Sequence, residues 1–512
     1  MGDLRIRYMD KKRRYIGYYD ASLGRWHQLY INDCPLWMRV MASNQYMEDR
    51  MRHIMCVKGG GLYFKPNCRD AAEVAREFRI TNPDWITANK LRKKGKRVPM
   101  PDQWLYAAHR LPVDHNWANG IILPLFCSST RFHLDVVNRQ YEGDPLEHAQ
   151  LSEDFSPRGY QQDAIDMAVR HGHGIIRAPC GSGKTAIGVG IIGAFKRKTL
   201  VLVHTGDLVL QWRSRLAMWM PEAMVGVTGM GKKEVGDVTI ATVQTLAKMR
   251  WTELYEWSKQ FGVVILDEAH HAPAQTFSFV LTAIPARNRF GLTATPKRAD
   301  GLTPFLWWSF GFEIWKIDHQ SLVHNNLIML PEFSFIDTMW TPKRSSEDYS
   351  RVVTEMTLSE SRNETILDIA TRCASEGRCV LILSDRVGHC EALAEELGRR
   401  GIDAAALVGR LSNKKRAALI EAMNAGELSV CTATTIADEG LDIPKLDTLI
   451  MATPSSSLGR VEQRVGRIMR PAPDKQAPLV FDLRDSWGPF RGGARKRESL
   501  YRRLGMQRIQ AA

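Results

Sequence analysis

Two short stretches carry residue types suited to moving a phosphoryl group. Ala178–Thr185 (APCGSGKT) places Gly181, Ser182 and Gly183 ahead of a lysine and a threonine. Small residues there let backbone N–H groups curl around phosphate oxygens, and a helix opening at Lys184 adds its partial positive end. Lys184 then reaches the β- and γ-phosphates, and the Thr185 hydroxyl binds Mg²⁺. Ala178 replaces the first glycine of the usual pattern, at a position that need not touch phosphate. Val263–His271 (VVILDEAHH) is an apolar run ending in two adjacent carboxylates. Asp267 suits Mg²⁺, and Glu268 suits the water that attacks the γ-phosphate. A carboxylate pair at a helix start is the plainer reading, but it loses force beside a phosphate loop. His270 and His271 are adjacent in sequence and do not converge on one ion, so no zinc site is expected.

A third stretch, Gln463–Pro471 (QRVGRIMRP), spaces Arg464, Arg467 and Arg470 three apart. On a helix they share roughly one face. Such a face can be solvated or can track a phosphate backbone. Behind a second α/β unit, Arg467 and Arg470 read better as arginine fingers, groups that contribute about 10³–10⁵ in rate when two domains close. The expected ligands are ATP and Mg²⁺.

Elements must hold these groups in place. Apolar runs at Gly174–Pro179, Thr199–Thr205, Val238–Thr242, Gly262–Asp267 and Phe290–Ala294 alternate with helical stretches. A second series follows at Cys379–Asp385, Asp403–Val408, Leu428–Thr434, Asp447–Ala452 and Ala477–Leu483. None alternates cleanly, as expected for parallel strands buried on both faces. The fold class is α/β: two tandem doubly wound parallel-sheet domains, whose chemistry gathers at the strand C-termini. The expected division is 1–150, an accessory domain of mixed structure; 151–327, the first α/β domain; 328–484, the second; and 485–512, a basic tail. Asp318–Pro342 is expected to cross between the α/β domains. A hairpin is expected near Arg14–Gln28, and helix near Asp70–Phe78.

The 512 residues carry 70 Lys+Arg against 56 Asp+Glu. The excess is uneven: residues 1–150 hold 24 basic against 16 acidic residues, 484–512 hold 8 against 2, and the stretch between is balanced. Clusters at Lys11–Arg14, Arg92–Arg97 and Arg495–Arg497 suggest a phosphate backbone as partner, bound in a salt-sensitive way. There is no apolar run of about 18 residues and no leader pattern, so neither a membrane span nor secretion is expected. Nine cysteines in this length do not suggest a disulfide scaffold, and a setting in the cytoplasm, or in the nucleic-acid compartment of the host cell, is expected.

Taken in order, these motifs resemble the superfamily 2 helicases and translocases over roughly residues 155–475. Arg158–Gln162 (RGYQQ) is similar to the RxYQ entry of the DEAH-like group, which implies that Gln161 reads the adenine edge. Asp267–His270 resembles a DEAH box and Leu292–Pro296 (LTATP) a coupling motif, with Thr293 and Thr295 linking hydrolysis to domain movement. Leu202–Thr205 with Leu210–Trp212, and Ala241–Thr245, resemble strand-contacting motifs. In the second half, Val380–Asp385, Thr432–Pro444 and Gln463–Arg470 resemble motifs IV, V and VI. The resemblance implies two RecA-like lobes, with Thr205, Thr242, Gln244 and Thr434 on the sugar–phosphate backbone. It also implies Gly440 and Asp442 near the nucleotide and Gln463 among the coupling residues. Thr295–Gly301 (TPKRADG) further suggests the branch around XPB, the phage UvsW-type helicases and restriction-enzyme motor subunits.

The implied activity is ATP hydrolysis driving movement along, and unwinding or remodelling of, duplex or branched DNA; single strands are also within its range. An RNA helicase with the same motor stays open, as does a duplex translocase that separates no strands. A non-catalytic nucleic-acid scaffold should have lost Lys184, Asp267, Glu268 or Arg467, and all four are present. In the accessory region, Trp26, Tyr30, Trp37, Trp85 and Trp104 either build a small core or stack on unpaired bases. Cys34, Cys56, Cys68 and Cys127 lack paired C-x₂-C spacing, which argues against a zinc module.

Overall fold

The structure is a computed structural model. It describes residues 149–510 except 180, 270–273, 295–301, 326, 344–347, 435–442 and 456. Before them it describes 6–8, 15–20, 25–30, 52–58, 61–64, 76, 79–93, 97–106, 109–110, 121–125 and 132–146.

The first lobe is built on one sheet. Its strands are β1 (His173–Arg177), β2 (Thr199–Val203), β3 (Val225–Gly229), β4 (Lys232–Lys233), β5 (Val238–Thr242), β6 (Val263–Leu266), β7 (Asn288–Thr293) and β8 (Glu313–Lys316). They lie in the order β4-β3-β5-β2-β6-β7-β1-β8, parallel except for the β3–β4 pair. Every residue of β2, β5 and β6 is buried. That is why these runs are largely apolar, with threonine as their only polar residue type: helices cover both faces.

The second lobe repeats the plan with β9 (Glu332–Asp337), β10 (Val380–Leu383), β11 (Ala404–Leu407), β12 (Val430–Ala433), β13 (Thr448–Met451), β14 (Leu479–Arg484) and β15 (Gln507–Arg508). Their order is β11-β12-β10-β13-β14-β9-β15, all parallel. The two tandem doubly wound parallel-sheet domains implied by the sequence are therefore present. All ten expected strands form, most of them trimmed at the ends.

Two features differ from the sequence reading, and a third, the form of the basic tail, was left open by it. Glu332–Asp337, inside the stretch read as a crossing, belongs to the second sheet, where Phe333 and Phe335 are buried. The stretch after residue 484 forms helix Gly488–Arg503 and strand β15, both packed on the second lobe. Within the Arg495–Arg497 cluster, Arg497 is not offered to a polyanion. It is buried, with its guanidinium on both oxygens of Asp482 at 2.7 Å each.

In the accessory region Tyr15–Asp20 and Arg25–Tyr30 pair as the expected hairpin, with Ile6–Tyr8 beside them. A five-stranded sheet joins Phe132–Asn138, Arg52–Lys58, Gly61–Phe64, Ile121–Pro124 and His109–Arg110, and helix Pro83–Lys93 carries half-buried Trp85. The Asp70–Phe78 helix expectation falls outside the described residues apart from Arg76, as do Cys34, Cys68, Cys127 and Trp37. Leu62 and Ile122 of this sheet share one core with Phe277, Val280 and Leu281 of the first lobe. The connecting chain is tied down by backbone bonds, Tyr141 N–H to Pro285, Asp144 N–H to Gln260 and Leu146 N–H to Lys196. Among the described residues, no helix is long and apolar enough to cross a membrane.

Candidate active site

β1 runs directly into the glycine loop. Ala178 N–H donates to Thr293 O at 3.0 Å, which joins the loop to the end of β7. Gly181 and Gly183 take positive φ, +83° and +76°, as the curl requires. Gly183 opens helix Lys184–Phe195 without any side-chain cap, and such a helix N-terminus attracts anions. A side chain at residue 183 would sit 2.5 Å from Gln161 Nε2.

Gln161 is buried beneath the loop. Its carbonyl oxygen accepts Arg158 N–H at 2.9 Å, and its Nε2 donates to Ser182 O at 2.9 Å. Tyr160 OH donates to the same carbonyl at 2.7 Å. The amide braces the loop at the edge of the cleft.

β6 delivers the carboxylates. Asp267 N–H donates to Leu202 O, and Ala269 N–H to Leu292 O, so the turn after β6 is stitched to both neighbouring strands. Glu268 adopts a left-handed φ of +48°. Asp267 is 4% exposed; its Oδ2 accepts the indole N–H of Trp212 at 2.9 Å and its Oδ1 accepts Glu268 N–H at 2.9 Å. Burial, then the charge of Glu268, pushes the Asp267 carboxyl up to about 6, against the pull of Lys184. Lys184 Nζ stands 3.1 Å from Glu268 Oε1 and 3.5 Å from Ala178 O.

From the second lobe, helix Leu458–Ile468 brings Gln463 and Arg467 to the same cleft, where Arg470, two residues past its end, joins them. Arg464 turns away into the lobe, 1% exposed, 3.4 Å from Asp385. The cleft has a volume of about 370 Å³ and is lined from both sides, by Lys184, Thr185, Asp267 and Glu268 and by Gln463, Arg467 and Arg470. The lobes approach closely here: a Cβ at Gly181 would lie 3.6 Å from Gly466 O and 3.7 Å from Arg470 Cγ. Sequence reasoning named Gln161, Gly181 and Gly183, which also line the cleft, quoted Arg158 and Pro444 only as motif ends, and missed Arg215 and Trp219. Trp212 was quoted within a motif, but its bond to Asp267 leaves no local pattern.

Thr293 is buried at the end of β7. Thr295, Gly440 and Asp442 lie outside the described residues, as do His270 and His271. The expected strand contacts sit at C-terminal strand ends. Thr205 follows β2 and caps helix Gly206–Trp219. Thr242 ends β5, its hydroxyl 2.7 Å from that of Thr245. Gln244 is exposed and donates to His204 O at 3.1 Å, and Thr434 follows β12. Beside them an ion pair joins Asp207 of the first lobe to Arg416 of the second.

Residues 154–298 match the family model described as type III restriction enzyme, res subunit, and residues 361–472 match the helicase conserved C-terminal domain. A Haloarcula marismortui protein named for Rad25 is 28% identical over 329 residues, 63% of this chain and 52% of its own length. The chain thus spans about half of that relative. The DNA 3'-5' helicase XPB of Kineococcus radiotolerans is 28% identical over 348 residues, 65% of this chain and 60% of that protein. The S. cerevisiae Dbp5 structure bound to RNA and ADP BeF3 superposes with a TM-score of 0.52 at 13% identity, covering 69% of this chain and 90% of that one. This likeness shows that the two RecA-like lobes are a shared fold.

Proposed function

Because the chain belongs to the superfamily 2 helicases and translocases, in the branch related to XPB and to restriction-enzyme motor subunits, we propose that it is an ATP-dependent DNA helicase or translocase. The observation that carries this reading is a single cleft lined by Lys184, Asp267 and Glu268 from one lobe and by Arg467 and Arg470 from the other. Phosphoryl transfer asks a protein for positioning and charge rather than covalent chemistry, and these are the groups it needs.

Each residue has a task. Backbone N–H groups at Gly181, Ser182 and Gly183 cradle the phosphates of ATP, and Gln161 supports that loop beside the base. Lys184 pairs with the β- and γ-phosphates, which draws it off Glu268 and leaves that carboxylate to orient the attacking water. Thr185 and Asp267 would hold Mg²⁺. Both offer hard oxygens, and a cation beside the buried Asp267 would favour its ionised form against the burial and the Glu268 charge that raise its pKa. When bound, Mg²⁺ supplies charge neutralisation across the phosphate oxygens. Arg467 and Arg470 add positive charge when the lobes close. Thr293, Thr295 and Gln463 pass the change in phosphate contacts to the lobe interface, with Gly440 and Asp442 near the nucleotide.

Thr205, Thr242, Gln244 and Thr434 hold one strand along the C-terminal strand ends of both lobes. The basic accessory region grips duplex outside the motor. The assigned polarity is 3'→5', after the name of the Kineococcus relative.

The test is ATP hydrolysis by the full chain with DNA or RNA, followed by strand displacement on forks, flaps, four-way junctions and RNA duplexes. DNA stimulation with displacement of 3'-tailed substrates is expected. Stronger stimulation by RNA would replace DNA in the reading, and hydrolysis on duplex without displacement would make the protein a translocase only.

A further inference from the structure

Lys475 lies beyond every motif quoted above, yet it touches two of them. The chain leaves helix Leu458–Ile468, turns at Asp474 with a left-handed φ of +55°, and sends Lys475 back toward the cleft. Its Nζ donates to Arg470 O at 2.7 Å and to Pro444 O at 3.0 Å. Arg470 and Pro444 both line the nucleotide cleft. One residue earlier, Met469 O accepts the N–H of Met329, from the connection between the lobes, at 2.8 Å. The two carbonyls that follow this helix, those of Met469 and Arg470, are therefore held from two directions. A cation is favourable just past a helix C-terminus, where partial negative charge collects.

We propose that Lys475 is a positioning residue for the Arg470 finger. Its ammonium ties the Arg470 backbone to Pro444 at the end of the 432–444 segment and so sets how far the guanidinium reaches into the cleft. The proposal rests on the ATPase reading above. A surface lysine packing where it can is the plainer alternative, but Lys475 is half-buried and spends two hydrogen bonds on carbonyls.

The facing charges support the geometry. Asp447, itself 3.8 Å from Arg378, raises the basicity of Lys475. Burial, with Arg470 adding to it, outweighs this and lowers the ammonium to about 8. Lys445 faces Cys379, whose thiol is pushed up to about 12 and stays neutral through this range. Lys475 therefore loses its charge as pH rises through 8, and its grip on the two carbonyls weakens with it.

The experiment is steady-state ATP hydrolysis by the full chain at saturating DNA between pH 6.5 and 9.5. It compares wild type, Lys475→Arg and Lys475→Met, with circular dichroism at each pH to verify folding. Displacing a catalytic group by 1 Å can cost about 10²-fold. Lys475→Met should accordingly lose about ten- to a hundred-fold in kcat while KM for ATP stays within about two-fold. Wild-type kcat should fall above about pH 8, and Lys475→Arg, charged throughout, should hold its rate to higher pH. A Lys475→Met variant with kcat within about two-fold of wild type would overturn the proposal. So would an alkaline limb unmoved in Lys475→Arg, which decides the matter alone if Lys475→Met does not fold. A wild type that hydrolyses no ATP with either DNA or RNA would instead remove the ATPase reading, and this role with it.

Discussion

Lys184 Nζ and Glu268 Oε1 form a 3.1 Å ion pair within the cleft, with side chains 9% and 15% exposed. The cation that should meet phosphate and the carboxylate that should meet water thus satisfy each other, and the phosphate of ATP must compete for Lys184. Glu268→Gln keeps the shape and removes the charge. Nucleotide binding should survive or tighten, while turnover drops below about a hundredth of wild type. A fluorescent ATP analogue titration beside a phosphate-release assay checks both halves, and retained turnover would take Glu268 out of the reaction.

Asp267 depends on a neighbour, Trp212, whose bond to it no sequence pattern announces. Trp212 donates to it at 2.9 Å, and the indole fits because residue 188 is glycine: a Cβ there would sit 2.5 Å from the ring. Trp212→Phe keeps most of the packing and removes the donor that favours the ionised carboxylate. The Asp267 carboxyl, already at about 6, should rise further. The acid limb of the ATPase profile should move to higher pH, and more Mg²⁺ should be needed for half-maximal rate near pH 6.5. An unchanged acid limb would show that the indole bond has no part in setting this carboxylate.

The cleft was legible from sequence because phosphate chemistry demands small residues and charges at fixed local spacing. The central strands were legible because burial on both faces makes them apolar without interruption, as in Val263–Leu266. Elements at or next to a sheet edge were not. Glu313–Lys316 and Glu332–Asp337 mix charged and aromatic residues, because each has a face or an end outside the core. Long-range pairings left no trace either. Nothing in Arg495–Arg497 reveals that its last member closes inside the lobe on Asp482, which also accepts Tyr501 OH.

The three-residue arginine spacing divides by function. Arg464 is 1% exposed and pairs with Asp385, whereas Arg467 and Arg470 line the cleft. Truncating a buried charged partner costs about 3–5 kcal/mol, so Arg464→Ala should lower the unfolding temperature. Arg467→Ala should leave it nearly unchanged and reduce kcat by at least about 10²-fold. Denaturation curves alongside kinetics separate the two effects, and equal stability losses would contradict this division.

The second lobe holds a neutral histidine. His389 is 5% exposed, with Ser384 Oγ and Asn363 Oδ1 each 2.9 Å from its ring nitrogens. Burial, with Arg362 adding to it, lowers its pKa to about 4 from 6.5. Between those values the unfolded chain binds the proton and the folded one does not, so stability rises with pH through this window and is lost on acidification. The wild-type advantage over His389→Gln should therefore shrink by about 2 kcal/mol between pH 7 and pH 4.5, since a tenfold change in proton affinity is worth about 1.4 kcal/mol. Urea denaturation at the two pH values measures it, and a constant difference would place the proton elsewhere.

The accessory region is expected to behave as part of the first lobe rather than as a tethered module. Leu62 and Ile122 share a core with Phe277, Val280 and Leu281, on the helix that follows the acidic site. Removing residues 1–138 would uncover Phe277 and its neighbours, at about 25 cal/mol per Å² of apolar surface. The shortened chain should aggregate or bind a hydrophobic dye strongly, and its ATPase should fall even where DNA is saturating. Phe277→Ser in the full chain should weaken the same contact without deleting any basic residue. Lost basal hydrolysis in that variant would assign the accessory region a mechanical role beside the ATP site. A soluble, dye-negative truncated protein with wild-type basal turnover would show instead that the two parts are independent.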